Sequence, residues 1–326
     1  MARDLARLRE GLRAFLGCGK ALSAVVPLST GHSNETYRLD GLDRILRMPP
    51  SEEGLLPPYD MAAQHRVLAA MAGAPDGPPV PRVYELCTDA SVIGDPFFVM
   101  ECLRGEAFEY AVPDWLSSAP PSLPDAMCAQ WIGAIARVHR LPRAAMPTPA
   151  RTAQDEAAHW LAVARAAEAP ALLLEVLEDL LARPPRASGP ATPIHGDPKH
   201  GNCLWDARGR LLALLDWEMA GIGDPLLDLG YVMQFYDQGE VKLGAAGYEL
   251  PGWWSRSRTI EEWESMTGRR ALDLHRYEAI GVAKVAAIVQ LGAHLYATGR
   301  APDPRFAVWH TVVPPYVELA ARCAGA

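Results

Sequence analysis

One stretch of this 326-residue chain decides its fold: His195-Gly196-Asp197-Pro198-Lys199-His200-Gly201-Asn202. It has the pattern H-G-D-x-x-x-x-N, in which an acid precedes an amide by five residues. The apolar run 211–215 follows and leads into Asp216, fourteen residues after Asn202. This spacing fits a short hairpin between the amide and the second acid.

This order of side chains predicts phosphoryl transfer from a magnesium nucleotide. One carboxylate must orient the attacking hydroxyl or accept its proton, and magnesium needs hard oxygen ligands. We therefore predict that Asp197 is the catalytic residue and that Asn202 and Asp216 are the metal ligands. His195 is expected to hold the loop by hydrogen bonds. Lys199 either contacts the transferred phosphate or is a solvated surface residue.

Two other interpretations account for some of these residues. In the first, His195 and Asp197 only cap a turn and Asp216 ends a strand. In the second, His195, Asp197 and His200 bind a transition metal, as in a metal-dependent hydrolase. The second interpretation leaves Asn202 and Asp216 without a role, so the sequence favours phosphoryl transfer.

The chain resembles the aminoglycoside phosphotransferase and choline kinase family, whose members are small-molecule relatives of the protein kinases. The resemblance runs from about residue 25 to residue 300 and is most specific in residues 194–231. Two segments are similar to a bacterial branch that is related to the kinase portions of acyl-CoA dehydrogenase fusion proteins: Leu215-Asp216-Trp217-Glu218 and Gly223-Asp224-Pro225-Leu226-Leu227-Asp228-Leu229-Gly230. In this family, the acids at the places of Asp224 and Asp228 hold the catalytic loop by hydrogen bonds.

The resemblance implies an α+β, protein-kinase-like two-lobe fold that binds ATP and Mg²⁺ between its lobes. A small antiparallel-sheet N-lobe is expected at residues 1–103, and a larger, mainly helical C-lobe at 104–326. The N-lobe turn that ends with Ser33 and Asn34 is expected to contact the phosphates through these residues. Glu101 and Cys102 belong to a segment that resembles the hinge where adenine binds.

Arg47, in the third predicted strand, takes the place of the basic residue that the family sets on the nucleotide phosphates. Its guanidinium can hold a phosphate by two hydrogen bonds. Protein kinases steady this cation with a helix Glu, whereas the matching place here holds Gln64. Since a neutral amide forms no ion pair, either the pair is absent or Asp60, one turn earlier on the helix, replaces the Glu.

Periodicity and turn residues predict the elements around these sites. Strands are expected at 24–28, 36–39, 44–48, 82–86 and 96–101, within the first third of the chain. Helices are expected at 4–16, 61–71, 125–140, 153–168, 170–183, 226–236, 259–267, 274–297 and 305–322.

Composition limits the classes of partner. A net charge of −8 argues against a general attraction to nucleic acid. The six cysteines are scattered, which is typical of reduced thiols. No signal-peptide core is present, and no apolar segment is expected to reach membrane-spanning length, because Lys284 and His294 interrupt the most apolar late one. We therefore expect a cytoplasmic protein with no membrane partner. The sequence does not indicate an oligomeric state.

The expected acceptor is a hydroxyl of a small molecule. Residues 232–326 contain ten acids and ten bases, without the acid excess typical of a pocket for a polycationic aminoglycoside. This balance and the branch resemblance favour a metabolic acceptor, such as a hydroxylated acyl compound, over an antibiotic. Trp253 and Trp254 are candidates for the acceptor pocket. A nucleotide-binding module without turnover is the alternative, which Gln64 supports.

Overall fold

The computed structural model describes residues 3–28, 33–52, 54–146, 148–236, 244–301 and 303–325. The chain divides into two compact units, the first formed by Met1–Ala72 with Pro81–Arg104 and the second by Gly73–Val80 with Gly105–Ala326. Residues 1–103 were expected to form one lobe. Segment 73–80, however, belongs to the second unit. There, the backbone N–H of Leu214 donates to the Pro79 carbonyl at 2.8 Å.

A five-stranded antiparallel sheet forms the centre of the first unit. Its strands are β1 (Ala24–Leu28), β2 (Glu35–Asp40), β3 (Arg44–Met48), β4 (Val83–Cys87) and β5 (Phe97–Glu101), in the order β1-β2-β3-β5-β4. Leu46 pairs with Tyr37 on one side and with Val99 on the other. All three side chains are buried in one apolar core cluster, because side chains directly opposite each other share a face of the sheet.

Two helices complete this unit. Helix α1 (Leu5–Leu16) begins after Asp4, whose carboxylate accepts two backbone N–H groups, and ends at Gly17 in the left-handed conformation. Its buried residues Leu8 and Leu12 join the same core cluster. Helix α2 (Met61–Gly73) buries Met61, Gln64, Val67, Leu68 and Met71.

The second unit is mainly helical. Its helices are α3 (Asp114–Ser117), α4 (Ser122–Arg140), α5 (Ala153–Ala166), α6 (Ala171–Ala182), α7 (Leu226–Met233), α8 (Arg256–Thr267), α9 (Leu274–Ala297) and α10 (Val313–Ala324). The single helix expected at 305–322 is wrong in its first half, where Pro304–Thr311 forms a 3₁₀ segment. Helix α10 restarts there because Pro314 and Pro315 lack the N–H groups of a helix interior and fit its first turn.

Helix α9 is the central helix of this unit and packs against α5, α6, α7 and α10. Glycines let its backbone touch that of α7. A Cβ on Gly230 would lie 2.5 Å from the Tyr277 carbonyl carbon, and one on Gly281 would lie 2.8 Å from the Tyr231 Cα. Larger residues at either position would force the two helices apart.

The expectation that no segment reaches membrane-spanning length is wrong for α9. Among the described residues, this helix is long and apolar enough to cross a membrane by length and composition. However, 61% of its most apolar window is buried inside the protein, as in the core helix of a globular protein. Length and apolar composition alone are therefore weak evidence that α9 spans a membrane.

Two small antiparallel pairs carry the stretch that decides the fold. Strand β6 (Thr192–Ile194) pairs with β9 (Gly221–Gly223), and β7 (Cys203–Trp205) pairs with β8 (Leu211–Leu214). Residues 195–202 form the loop between β6 and β7, which we call the catalytic loop. Residues 215–220 connect β8 to β9. Each of the two segments therefore joins a strand of one pair to a strand of the other.

Candidate active site

The β7–β8 hairpin brings the amide and the second acid together. Cys203 pairs with Leu214, and one step further the Leu215 N–H donates to the Asn202 carbonyl at 2.8 Å. Asp216 is the next residue, in the left-handed conformation with φ 63° and ψ 64°. This conformation is uncommon for a residue with a Cβ, although Asp adopts it more readily than most, and such residues cluster at functional sites.

The Asn202 side chain fixes the predicted catalytic residue. Its Nδ2 donates to the backbone carbonyl and to the Oδ2 of Asp197, both at 2.8 Å. Because the amide nitrogen faces two oxygens, the Oδ1 of Asn202 is the atom left to bind a cation. The Oδ1 of Asp197 is buried and accepts no hydrogen bond that meets ordinary geometric limits within the described part of the chain.

Charges near Asp197 keep its carboxyl ionised. Burial by itself would raise the pKa of this group. The ammonium groups of Lys199 and Lys284 outweigh burial and, with a contact from the Tyr231 hydroxyl, hold the pKa of Asp197 below its ordinary value. At neutral pH the residue is therefore a hydrogen-bond acceptor, as orientation of a hydroxyl requires.

His195 is a neutral residue that holds the loop. Its Nδ1 accepts the backbone N–H of Asp197 at 3.2 Å, and its Nε2 lies 2.9 Å from the Leu215 carbonyl, to which it donates. Burial lowers the pKa of His195, so the neutral ring is the stable form at neutral pH. Both ring nitrogens are used, in agreement with the predicted role in hydrogen bonding.

Asp228, at the start of α7, holds the catalytic loop from behind. It accepts the backbone N–H groups of His195 at 2.7 Å and Gly196 at 2.8 Å, and the Nε2–H of His139 at 3.0 Å. The Trp263 indole donates to the other nitrogen of His139 at 2.9 Å, which fixes the tautomer. Asp228, His139, His195 and Trp263 are buried, so most of the network that orders the loop is shielded from solvent.

Asp224 does not share this role, contrary to the expectation from the family. Its carboxylate accepts the hydroxyl of Ser188 at 2.7 Å and that residue's backbone N–H at 2.5 Å. It also accepts the Leu226 N–H at 2.9 Å, at the start of α7. Asp224 therefore holds the segment before β6 and leaves the catalytic loop to Asp228.

Gly196 is required by its surroundings. It has φ 85°, in the left-handed region, and a Cβ there would lie 2.3 Å from the Met219 carbonyl oxygen. Any other residue would push the catalytic loop away from the segment that follows Asp216. The glycine of the H-G-D pattern thus allows these two segments to pack closely.

Lys199 is not a solvated surface residue, and His200 is not placed to bind a transition metal. Lys199 donates to Glu109 at 2.8 Å, and the carboxylates of Asp197 and Glu109 raise its pKa despite burial, so it is a paired cation. His200 is fully buried among aromatic rings, which include Phe108, Trp131, Tyr248 and Trp253. No group of three His, Cys, Asp or Glu side chains able to hold a metal occurs among the described residues. The transition-metal hydrolase therefore has no support in this geometry.

Trp253 and Trp254, the candidates for an acceptor pocket, belong instead to the core. They are 8% and 4% exposed. The ring of Trp253 packs on those of Trp131 and Tyr248, and the indole of Trp254 donates to Asp125 at 2.9 Å.

The six cysteines are all free thiols, as expected.

In the first unit, the predicted phosphate-binding cation has an amide partner. The Nε of Arg47 donates to the Oε1 of Gln64 at 3.1 Å. Asp60 instead caps α2, because its carboxylate accepts the Ala63 N–H at 2.8 Å. Thus Gln64, in the place of the kinase Glu, steadies Arg47 by a hydrogen bond rather than by an ion pair.

The remaining nucleotide-binding predictions lie at the ends of two strands of the same sheet, β2 and β5. Ser33 and Asn34 precede β2, and the Asn34 Nδ2 lies 3.3 Å from the Ser33 hydroxyl; residues 29–32 of this turn lie outside the described residues. In the hinge segment, the Cys102 N–H donates to the Asp43 carbonyl and the Glu101 N–H to the Arg82 carbonyl. Adenine would therefore have to use other backbone groups of this segment.

Comparisons with known proteins agree with the resemblance. The sequence profile of the Phosphotransferase enzyme family matches residues 24–298. Acyl-CoA dehydrogenase family member 10 of Mus musculus is 31% identical over an alignment 291 residues long, and the match covers 80% of this chain. The match spans only 25% of that protein, so the chain corresponds to about a quarter of the relative's length.

Solved structures share the fold. A candidate aminoglycoside phosphotransferase of Ralstonia eutropha superposes with a TM-score of 0.77 at 23% identity and covers 97% of this chain and 98% of its own. An aminoglycoside phosphotransferase in complex with GDP and kanamycin has a TM-score of 0.64 at 15% identity, with 97% of each chain covered. The predicted α+β, protein-kinase-like fold is thereby confirmed.

Proposed function

The chain belongs to the Phosphotransferase enzyme family, and we propose that it is a kinase that uses ATP and magnesium to phosphorylate a hydroxyl of a small molecule. One observation carries the proposal. Asp197 is an ionised carboxylate on a loop whose backbone, amide and imidazole groups are all held by hydrogen bonds. Such fixed positioning is the main contribution of a protein to phosphoryl transfer.

In this mechanism Asp197 orients the attacking hydroxyl. Asn202 holds the Oδ2 of this ionised carboxylate, which is the group that would accept the hydrogen bond of the acceptor hydroxyl. The proton passes to this carboxylate as the acceptor oxygen bonds to the γ-phosphorus and the bond from that phosphorus to the β,γ-bridging oxygen breaks, which would release ADP. His195 is neutral and both of its ring nitrogens are engaged, so it contributes orientation and no proton.

Asn202 and Asp216 are the residues that would hold magnesium. An amide oxygen and a carboxylate are hard ligands of the kind this ion prefers, and the hairpin brings their backbones side by side. The ion supplies charge neutralisation between the phosphates when it is bound. The strained backbone of Asp216 supports a functional reason for an acid at this position.

The residues proposed to contact the nucleotide belong to the first unit. We assign Arg47 to the phosphates, with Gln64 steadying the guanidinium, and Ser33 and Asn34 to the adjacent turn. Glu101 and Cys102 mark the segment for adenine. The GDP bound by a protein of the same fold supports a nucleotide as the donor.

The acceptor would be a small hydroxyl compound. Kanamycin is bound by the relative of the same fold, but the balanced charge of residues 232–326 speaks against a polycationic aminoglycoside here. The sequence similarity to acyl-CoA dehydrogenase family member 10 supports a hydroxylated acyl compound instead. A nucleotide-binding module without turnover remains the competing function, which Gln64 in place of the kinase Glu supports.

A transfer assay on the purified chain tests the proposal. The protein is incubated with MgATP or MgGTP and a library of small hydroxyl compounds, aminoglycosides included, and nucleoside diphosphate release is measured. Asp197→Asn should abolish transfer and retain nucleotide binding, whereas Glu261→Ala, an exposed acid on α8, should leave both unchanged. Nucleotide binding without transfer to any hydroxyl compound or to water would favour the module.

A further inference from the structure

A buried lysine lies behind the catalytic loop, and the mechanism above gives it no role beyond helping to keep Asp197 ionised. Lys284, on α9, is 7% exposed, and its ammonium donates to the carbonyl of Gly196, the residue before Asp197. Lysines are almost never buried to this extent without a partner or a function, since removal of the charge from water costs free energy. The position of Lys284 therefore requires an explanation.

The surroundings of the ammonium are specific. It lies 5.1 Å from the ring centre of Tyr231 on α7 and 5.6 Å from that of Trp160 on α5. A cavity of about 30 Å³ adjoins it, with Arg151, Glu156, Gly196, Met219 and Asp228 also in its lining. The carboxylates of Glu156, Asp197 and Asp228 are close enough to favour the charged amine, although burial lowers the pKa of Lys284 overall.

A purely structural ion pair does not explain the lysine. Glu156 already has Arg151 as its ion-pair partner at 3.1 Å and accepts the Trp160 indole N–H at 3.0 Å. Asp228 already accepts three hydrogen bonds from the loop and from His139. Neither carboxylate depends on Lys284 for a partner, whereas the loop carbonyl contacts it directly.

We propose that Lys284 is a positioning residue: its ammonium holds the Gly196 carbonyl and thereby fixes the orientation of Asp197. The inference rests on the proposed phosphoryl transfer. Because glycine has no Cβ, the backbone at Gly196 can rotate more freely than that of other residues. A hydrogen bond to its carbonyl therefore limits the rotation of the peptide that leads to Asp197. Gly281, three residues before Lys284, allows the close approach of α7 and α9 that carries the ammonium to the loop.

The test compares two variants on the same helix. Lys284→Met keeps most of the side-chain volume and removes the donor. Gln290→Met is the matched control, because Gln290 also donates from α9 to a backbone carbonyl, that of Ala167 at 2.8 Å, away from the catalytic loop. We expect Lys284→Met to lower kcat by about 10²-fold, the effect of a misplaced catalytic group, with KM for MgATP and for the acceptor unchanged.

Wild-type turnover separates this inference from the proposed function, because an inactive wild type defeats the function and not the positioning. Unchanged kcat in Lys284→Met, or a joint change of kcat and both KM values as in a general loss of structure, overturns the inference. If Lys284→Met does not fold, Lys284→Ala is assayed with propylammonium, which replaces the missing atoms. Recovery with this amine supports positioning; no recovery, or equal recovery with propan-1-ol, contradicts it.

Discussion

The side-chain amide of Asn202 donates to two oxygens of Asp197, the backbone carbonyl and Oδ2, each at 2.8 Å. One residue thus orients the carboxylate proposed to hold the acceptor hydroxyl. The same contact turns its own amide oxygen away from Asp197. The five-residue spacing of the sequence pattern places both functions on one side chain.

Substitution of Asn202 should therefore affect catalysis and metal binding together. We expect Asn202→Ala to lower kcat by about 10²-fold and to raise the magnesium concentration for half-maximal activity. Asp216→Asn removes only the ligand charge and should mainly weaken magnesium-dependent nucleotide binding. Titrations of activity and of nucleotide binding with MgCl₂ check both. A normal magnesium requirement in Asn202→Ala would contradict its role as a ligand.

Local patterns predicted most of the fold because the strands and helices carry clear periodicity and end signals. Asp4 and Gly17 delimit α1 as capping residues do. Two of the errors in the predicted fold arise where local periodicity is not decisive. Pro314 and Pro315 divided an apolar stretch that otherwise reads as one helix, and α9 is apolar on nearly all sides because tertiary packing buries it.

The site was predicted less completely, because its supporting residues are distant in sequence. Asp197, Asn202 and Asp216 lie within one pattern, so the sequence alone was enough to propose all three. His139 and Lys284 lie on helices far from it and look like ordinary members of an amphipathic or apolar segment. Only the packed structure relates them to the loop. The assignment of Trp253 to a pocket failed since an aromatic residue gives no local sign of burial.

Loss of the carboxylate behind the loop should reduce stability and activity. Asp228→Asn replaces an acceptor of three hydrogen bonds with a group that presents two N–H donors to the loop amides. We expect a loss of roughly 3 kcal/mol in the free energy of unfolding, measured by urea titration, and a strongly reduced kcat of the folded protein.

Asp224→Asn is the matched control for this prediction. Asp224 is also buried and also accepts three hydrogen bonds, but from Ser188 and Leu226. The variant should lose stability and retain kcat. Equal losses of kcat in the two variants would show that general destabilisation, and not the loop contact, explains the effect of Asp228.

The stability of the protein should fall below neutral pH partly through His200. Burial lowers the pKa of this ring to about 3, from its ordinary value of 6.5. Between these values the unfolded chain binds a proton that the folded protein does not, so stability decreases as the pH falls. From pH 6.5 to pH 5, one such group accounts for about 2 kcal/mol.

His200→Phe keeps an aromatic ring in the cluster and removes this titration. The variant should lose about 2 kcal/mol less than the wild type between pH 6.5 and pH 5, as measured by urea unfolding at both values. His275→Gln changes an exposed histidine and should behave as the wild type does. An unchanged pH dependence in His200→Phe would mean that its ring is not the neutral, buried group described here.

The hydrogen bond between Gln64 and Arg47 gives a prediction for nucleotide affinity. Gln64→Leu removes the acceptor at 3.1 Å and leaves the guanidinium less well ordered. Because a hydrogen bond to a charged group contributes roughly 1.5–3 kcal/mol, we expect the Kd for MgATP to rise about tenfold, measured by calorimetry. Arg44 lies on the same strand, and since side chains alternate, it points to the opposite face, where it pairs with Glu85 at 2.6 Å. Arg44→Met should therefore leave the Kd unchanged, and a similar rise in both variants would indicate damage to the sheet rather than loss of a phosphate contact.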